Sequence, residues 1–273
     1  MRKLLLFTLF LLVAALPVLA ESVPRETPDA RDAIVNGAIV VKGEGASPQG
    51  PFTLAQKRIM ALRAARAIAF RGAAEILDGV TVSGETTVLN AAAESDIVRT
   101  STEGILKGAT VLKEEYDPVS GTASVYLSVP MQGVATALTA HLSGFLPQMS
   151  PYSPATAAST VPYDGLVIDV RGKPFKPALF NRVLTKSKEA VYDPSKTDQK
   201  VLADSGGPAY TNGVAEAKAL LSKRGSVNPL VVKASGVAGS TDAELGPIEA
   251  AAVFYANQLT KFLEASKVVF VLD

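Results

Sequence analysis

The 273-residue chain has no cysteine, no tryptophan and a single histidine, His141. Without cysteine there are no disulfides, no thiol catalysis, no iron-sulfur ligands and no thiolate zinc sites, and one histidine cannot build a multi-histidine metal centre. Charge of one sign is lacking too: 27 Lys and Arg stand against 26 Asp and Glu, a net +1. That balance gives no bulk electrostatic case for nucleic acid or an anionic membrane surface. With 48% hydrophobic and 19% charged residues the composition is that of a globular protein, neither disordered nor many times membrane-spanning.

What is present begins with an address. Arg2 and Lys3 precede an apolar run over residues 4–16, Pro17 breaks it, and Val18, Leu19 and Ala20 end it. This pattern predicts a secretory signal peptide over residues 1–20, cleaved after Ala20. The run is shorter than the ~20 residues a spanning helix needs. Loss of Arg2 and Lys3 leaves 25 basic and 26 acidic residues, a mature charge of −1. A lipid anchor requires a cysteine at the cleavage point, where Glu21 stands. The expected product is exported, with no transmembrane segment after cleavage and no lipid anchor.

Residues 21–32, with Pro24 and Pro28 among charges, read as an exposed lead-in. A first α/β module is expected over 33–142 in the order β-α-β-α-β-β-α. Residues 33–41 read as a strand and 43–51 as a glycine-rich turn without a phosphate-loop motif. The segment 53–77, rich in Ala, Leu, Lys and Arg, predicts a long helix. Leu54, Ala55, Ile59, Leu62, Ala65, Ala69, Ala73, Ile76 and Leu77 share a broad face that small alanines let lie close to a sheet. Its five basic residues spread around the helix, which favours a solvated surface over an anion site. Residues 80–89 read as a strand and 97–106 as a helix. Residues 109–116 and 122–129 form a hairpin across the turn Asp117-Pro118-Val119-Ser120-Gly121. A helix over 132–142 closes the module.

A Pro- and Ser-rich stretch over 143–162 marks a linker, and 163–273 a second α/β module. There the sequence predicts a strand at 165–170, a hairpin of 179–184 with 190–192, a helix at 214–224 capped by Asn212, and a strand at 230–234. A helix over 247–265 opens on Pro247, and a continuously apolar strand over 268–272 reads as buried on both faces. The fold class expected is α+β or α/β, two small modules, each a mixed sheet packed by helices.

No catalytic constellation emerges: Gly-x-Ser-x-Gly and Ser-x-x-Lys motifs are missing in the right context. His141, near a helix end, reads as structural. The best polar segment runs from Tyr163 to Gly172. Asp169 and Arg171, two apart on a strand, share a face, and Asp164 with Asp169 could form a carboxylate pair if they converge in space. These three are the candidate ligand-binding residues, set against an exposed ion pair beside a turn. Asp242 and Glu244 have too few further oxygen ligands for a calcium loop. Tyr152, Tyr163, Tyr192 and Tyr210 form a binding face or pack as caps beside turns. The polar face of the hairpin, if it lies at a sheet edge, can accept another strand. No cofactor and no metal is expected.

The run Arg63-Ala64-Ala65-Arg66-Ala67, then Gly72 to Leu77, Asp78-Gly79-Val80-Thr81-Val82 and Glu85-Thr86-Thr87-Val88, resembles the LPP-twenty outer-membrane lipoprotein family. More distantly it resembles the N-terminal domain of the periplasmic flagellar assembly protein T. The resemblance covers residues 33–140, with Ser95-Asp96 and Gly108 fitting it too. Gly165-Leu166-Val167-Ile168-Asp169, Lys176-Pro177-Ala178-Leu179 and the run from Asn228 to Ala234 look like the C-terminal part of longer, mostly uncharacterised relatives. The resemblance implies a non-enzymatic envelope protein in a bacterium with an outer membrane, tied to flagellar or surface assembly. The missing N-terminal cysteine departs from the lipoproteins and favours a periplasmic state, at most peripheral to the outer membrane. Three readings remain. One is a protein acting on envelope or flagellar basal-body partners, or on itself. The second is a saccharide or peptidoglycan-binding module at Asp164 to Arg171, and the third a carboxylate hydrolase.

Overall fold

The computed structural model describes residues 23–139, 141, 144, 146–154 and 161–273. The expected signal peptide and its cleavage point at Ala20 lie outside the described residues, as does part of the expected linker. The order of elements differs at the outset. Helix α1 (Ala30–Asn36) comes first, its open end capped by Asp29, whose carboxylate accepts from the Asp32 amide. Gly37 ends it at φ 77°, and only then does β1 (Ala38–Ala46) begin. The strand expected from residue 33 is thus a helix followed by a strand. Ile34 and Val35 suggest a strand locally, but the Asp29 cap and the left-handed Gly37 decide. Nor are residues 21–32 wholly exposed. Thr27 is buried, its amide donating to the Val40 carbonyl and its hydroxyl accepting from the Val40 amide.

Strand β1 runs through the expected turn at 43–46, and the reason is its helix. α2 (Leu54–Asp78) opens on a reciprocal cap between Thr53 and Gln56. It buries Ala61, Ala65, Ala69, Ala73 and Leu77 against β1 and β5. A Cβ on Gly43 would stand 2.0 Å from the Ala65 carbonyl oxygen, and one on Gly45 2.3 Å from that of Ala61. These glycines are therefore strand residues that let helix and sheet backbones touch. The apolar face is narrower than expected: Leu54 and Ile59 are exposed.

The segment expected as one strand over 80–89 splits into β2 (Thr81–Ser83), β3 (Thr86–Thr87) and the start of α3 (Val88–Glu94), with Gly84 at φ 58° in the bend. Helix α4 (Asp96–Lys107) follows. The hairpin forms as expected from β4 (Thr110–Asp117) and β5 (Thr122–Pro130), and Ala123, Val125, Leu127 and Val129 point into the core. β1 pairs with the far side of β5, giving the antiparallel order β1-β5-β4, and α5 (Met131–Thr139) closes the half.

The second half holds two sheets. One is all parallel, β10 (Leu230–Lys233), β6 (Leu166–Asp169), β13 (Val268–Val271) and β9 (Ala209–Thr211) in that spatial order. As the terminal sequence implies, β13 is buried on both faces. Val269 and Val271 meet Ala217 and Leu221 of α7 (Val214–Lys223), while Phe270 stacks between Phe175 and Tyr210 on the other side. Gly213 caps α7, and Asn212 does not. The second sheet orders β11 (Gly236–Ala238), β12 (Asp242–Leu245), β7 (Val183–Thr185) and β8 (Ala190–Tyr192). A short 3₁₀ turn (Pro194–Lys196) and α6 (Gln199–Ser205) follow β8. Helix α8 (Pro247–Thr260) stops five residues before the expected 265. Lys261 turns left-handed at φ 55°, and the Asn257 side chain takes the Leu263 amide.

The halves share one core. The Leu179 and Phe180 amides donate to the Thr81 and Val82 carbonyls, and the Thr241 hydroxyl accepts from the Gly84 amide. Part of the expected linker is also held: Ser150 and Tyr152 bracket Ala190 with backbone hydrogen bonds, and the Pro147 carbonyl accepts from Arg182.

Candidate functional site

The three residues selected from the sequence do not form one site. Asp164 precedes β6 and Asp169 ends it; five residues of extended chain separate them by ~16 Å, beyond the ~5–9.5 Å of paired catalytic carboxylates. Asp164 caps a turn instead. Its carboxylate accepts from the Ser226 hydroxyl and from the Val227 and Asn228 amides, each at 2.7 Å. Burial pushes its pKa up, but these three donors and Lys267 outweigh it and leave the group below its ordinary value.

Asp169 and Arg171 do meet, at the carboxyl edge of the parallel sheet where open α/β sheets often bind ligands. Arg171 Nε and Nη2 reach the two oxygens of Asp169 at 2.9 and 2.7 Å, and the Arg171 amide adds a third bond. The guanidinium beside it lowers the Asp169 pKa against the opposing effect of burial. Both carboxylate oxygens are thus taken by donors of the next turn, and the pair is closed upon itself. The Gly172 amide, at φ 71°, points to the carboxylate of Asp273.

Asp242 and Glu244 are also engaged. Asp242 and Arg182 form a buried ion pair, with Arg182 Nη2 2.8 Å from Oδ2 and the Arg182 amide on Oδ1. Glu244 pairs with Lys188. Among the described residues no group of three or more His, Asp or Glu side chains is placed to hold a metal ion. The main chain of His141 donates to Leu138 at the end of α5.

The tyrosines divide as well. Tyr210 is buried, its hydroxyl donating to the Ala178 carbonyl, and burial drives its pKa far up. Tyr163 offers its carbonyl to Thr260. Tyr152 and Tyr192, however, line a cleft of about 200 Å³ between β8 and the end of α8. Linear order gave no sign of its other members, Phe254, Asn257 and Glu264. Glu264 reaches the cleft because α8 ends early, whereas a helix through 265 would carry it elsewhere.

A second feature is a surface rather than a cavity. The first two turns of α2 project beyond the buried alanine stripe, which starts only at Ala61. They leave Phe52, Leu54, Ile59 and Met60 exposed beside Lys57, Arg58 and Arg63. The tip of the β4–β5 hairpin adds Tyr116, Pro118 and Val119, the last 95% exposed. Arg66 is drawn off by Glu114 of β4, so the helix's basic residues do not converge on one point. On the same side β4 is an edge strand, with Val111 and Leu112 exposed and a bulge between residues 111 and 113.

Residues 165–273 match a family model described as the second domain of Treponema pallidum Tp0624. The match starts just before β6 and takes in both sheets of the second half. No curated protein matches the chain. Among the described residues no helix is long and apolar enough to cross a membrane.

Proposed function

We propose that the protein is an exported, non-catalytic component of the bacterial envelope that works by protein-protein contact, in flagellar or outer-membrane assembly. The observation that carries this reading is the surface at the start of α2. Isolated exposed apolar residues are ordinary, but a cluster of them rimmed by charge marks an interaction site. Here Leu54 and Ile59 of the α2 overhang line a shallow surface with Tyr116 and Pro118 of the hairpin tip, and Phe52 and Met60 beside them in the chain and Val119 at the tip are exposed as well. Lys57, Arg58 and Arg63 border it with no acidic residue in α2 before Glu75, so the complementary partner surface is apolar and rimmed by carboxylates. The hydrophobic segment at residues 4–16, with Ala20 as its cleavage point, supports export to the periplasm. The Asp169–Arg171 pair bonds to itself and Asp164 stands apart from it, which favours the contact reading over a saccharide site or a carboxylate hydrolase at those residues.

The test is affinity purification after crosslinking in the intact envelope, with wild type compared with the double variant Leu54→Asp, Ile59→Asp. Wild type is expected to recover flagellar basal-body or outer-membrane components. The variant is expected to lose them while melting within a degree or two of wild type, because both side chains already face water. Equal recovery by both proteins would count against this surface.

A further inference from the structure

The cleft between β8 and the end of α8 lies away from the α2 overhang and makes a separate demand. Its walls are aromatic: Tyr152 and Phe254 meet edge to face with ring centroids 6.1 Å apart, and the Tyr192 ring closes the floor side. Two polar atoms on its residues, Tyr192 Oη and Glu264 Oε2, are buried without a hydrogen-bond partner, the only such side-chain atoms among the described residues. Thr197 and Ser266 stand near the Tyr192 hydroxyl without meeting hydrogen-bond geometry; burial holds that hydroxyl protonated, its pKa pushed up to about 12.

Glu264 is the stronger observation. A carboxylate oxygen withdrawn from water and given no donor is costly, and natural proteins leave such groups where something else supplies the donor. No neighbouring side chain among the described residues donates to Glu264 Oε2, and the Asn257 oxygen, which accepts from the Leu263 amide, is itself an acceptor. A carboxylate beside aromatic faces suits a cation whose N–H bonds go to the oxygen and whose charge lies against the rings. We propose that this cleft binds a small molecule carrying a primary ammonium group, with Glu264 as its anchor and Tyr152 and Phe254 as the aromatic wall. A volume of about 200 Å³ fits an amino sugar or a short diamine rather than a folded partner.

Titration calorimetry on the mature chain tests this with D-glucosamine and cadaverine as probes. D-glucose and N-acetyl-D-glucosamine serve as controls, and the blocked peptide acetyl-Ala-Lys-Ala-amide as a third arm. Saturable binding of the two free amines is expected, with none for the controls. E264Q is expected to weaken that binding by about tenfold or more, with a melting temperature close to wild type, since the half-buried Glu264 makes no ion pair among the described residues that the substitution would break. Tyr152→Leu, at the half-buried rim, gives a second reading through loss of the aromatic face should E264Q fail to fold. Absence of binding by both free amines, unchanged affinity in E264Q, or binding of the peptide alone would overturn the proposal. None of these outcomes bears on the α2 surface.

Discussion

At the scale of single residues, the closest backbone approach in the first half makes the sharpest demand. Gly43→Ala would drive a methyl group into the Ala65 carbonyl of α2, and neither backbone can yield without moving the helix off the sheet. The expected cost is about 3 kcal/mol or more. Gly104→Ala is the control: it lies on the exposed side of α4 with open space at its Cβ, and is expected to gain about 0.5–1 kcal/mol. Urea unfolding of the two variants checks both signs. Asp242→Ala strands the buried Arg182 guanidinium and its amide together, and should cost about 3–5 kcal/mol in the same assay. The linear sequence did not mark that pair, because residues 60 apart are joined only when β7 and β12 align in parallel. The same limit applied to Asp164 and Asp169: close in sequence, they are held apart by the strand between them.

Acid sensitivity follows from the same side chains. Asp164 and Asp169 both have folded-state pKa values below the ordinary carboxylate value. Such groups add stability that is complete above the unfolded pKa, about 4, and that is lost as pH falls through the lower folded value. Stability should therefore decline below about pH 4, and Asp164→Asn should flatten that decline while lowering stability at neutral pH. A pH titration of the unfolding midpoint that keeps the same slope in the variant would contradict the assignment.

Elements repay sequence reading according to how much of their determination is local. The 25-residue α2, the β4–β5 hairpin and the terminal β13 were legible, since helix propensity, a Pro-Gly turn and an unbroken apolar run each act over a few residues. α1 was not, because Ile34 and Val35 favour a strand until the Asp29 cap and Gly37 are weighed. The end of α8 was not, because its stop is a side-chain bond from Asn257 and a left-handed Lys261, which no glycine or proline announces. The candidate cleft was hidden for that reason. For β13 the consequence is testable: it lies between β6 and β9, so deletion of residues 267–273 removes a central strand and both of its ladders. The truncated protein is expected to unfold at a much lower temperature or without a cooperative transition, and an unchanged melting curve would show that the strand is dispensable.

At the scale of the whole molecule, the two halves are tied by the β2–Leu179-Phe180 hydrogen bonds, by Thr241 with Gly84, and by a continuous apolar core that runs from α1 and α5 to β9. Calorimetry should accordingly give one unfolding transition; two well-separated transitions would mean the halves are energetically independent. A body held this way presents fixed surfaces, with the apolar and basic overhang of α2 at one end and the edge of β4 beside it. On the proposed function, this end meets an envelope partner. A photo-crosslinking amino acid placed at position 59, and for comparison at position 231 on the second half, in cells that express the full chain, provides the test. A specific crosslinked envelope protein is expected from position 59 and none of that species from position 231. The same product from both positions, or none from position 59, would contradict it.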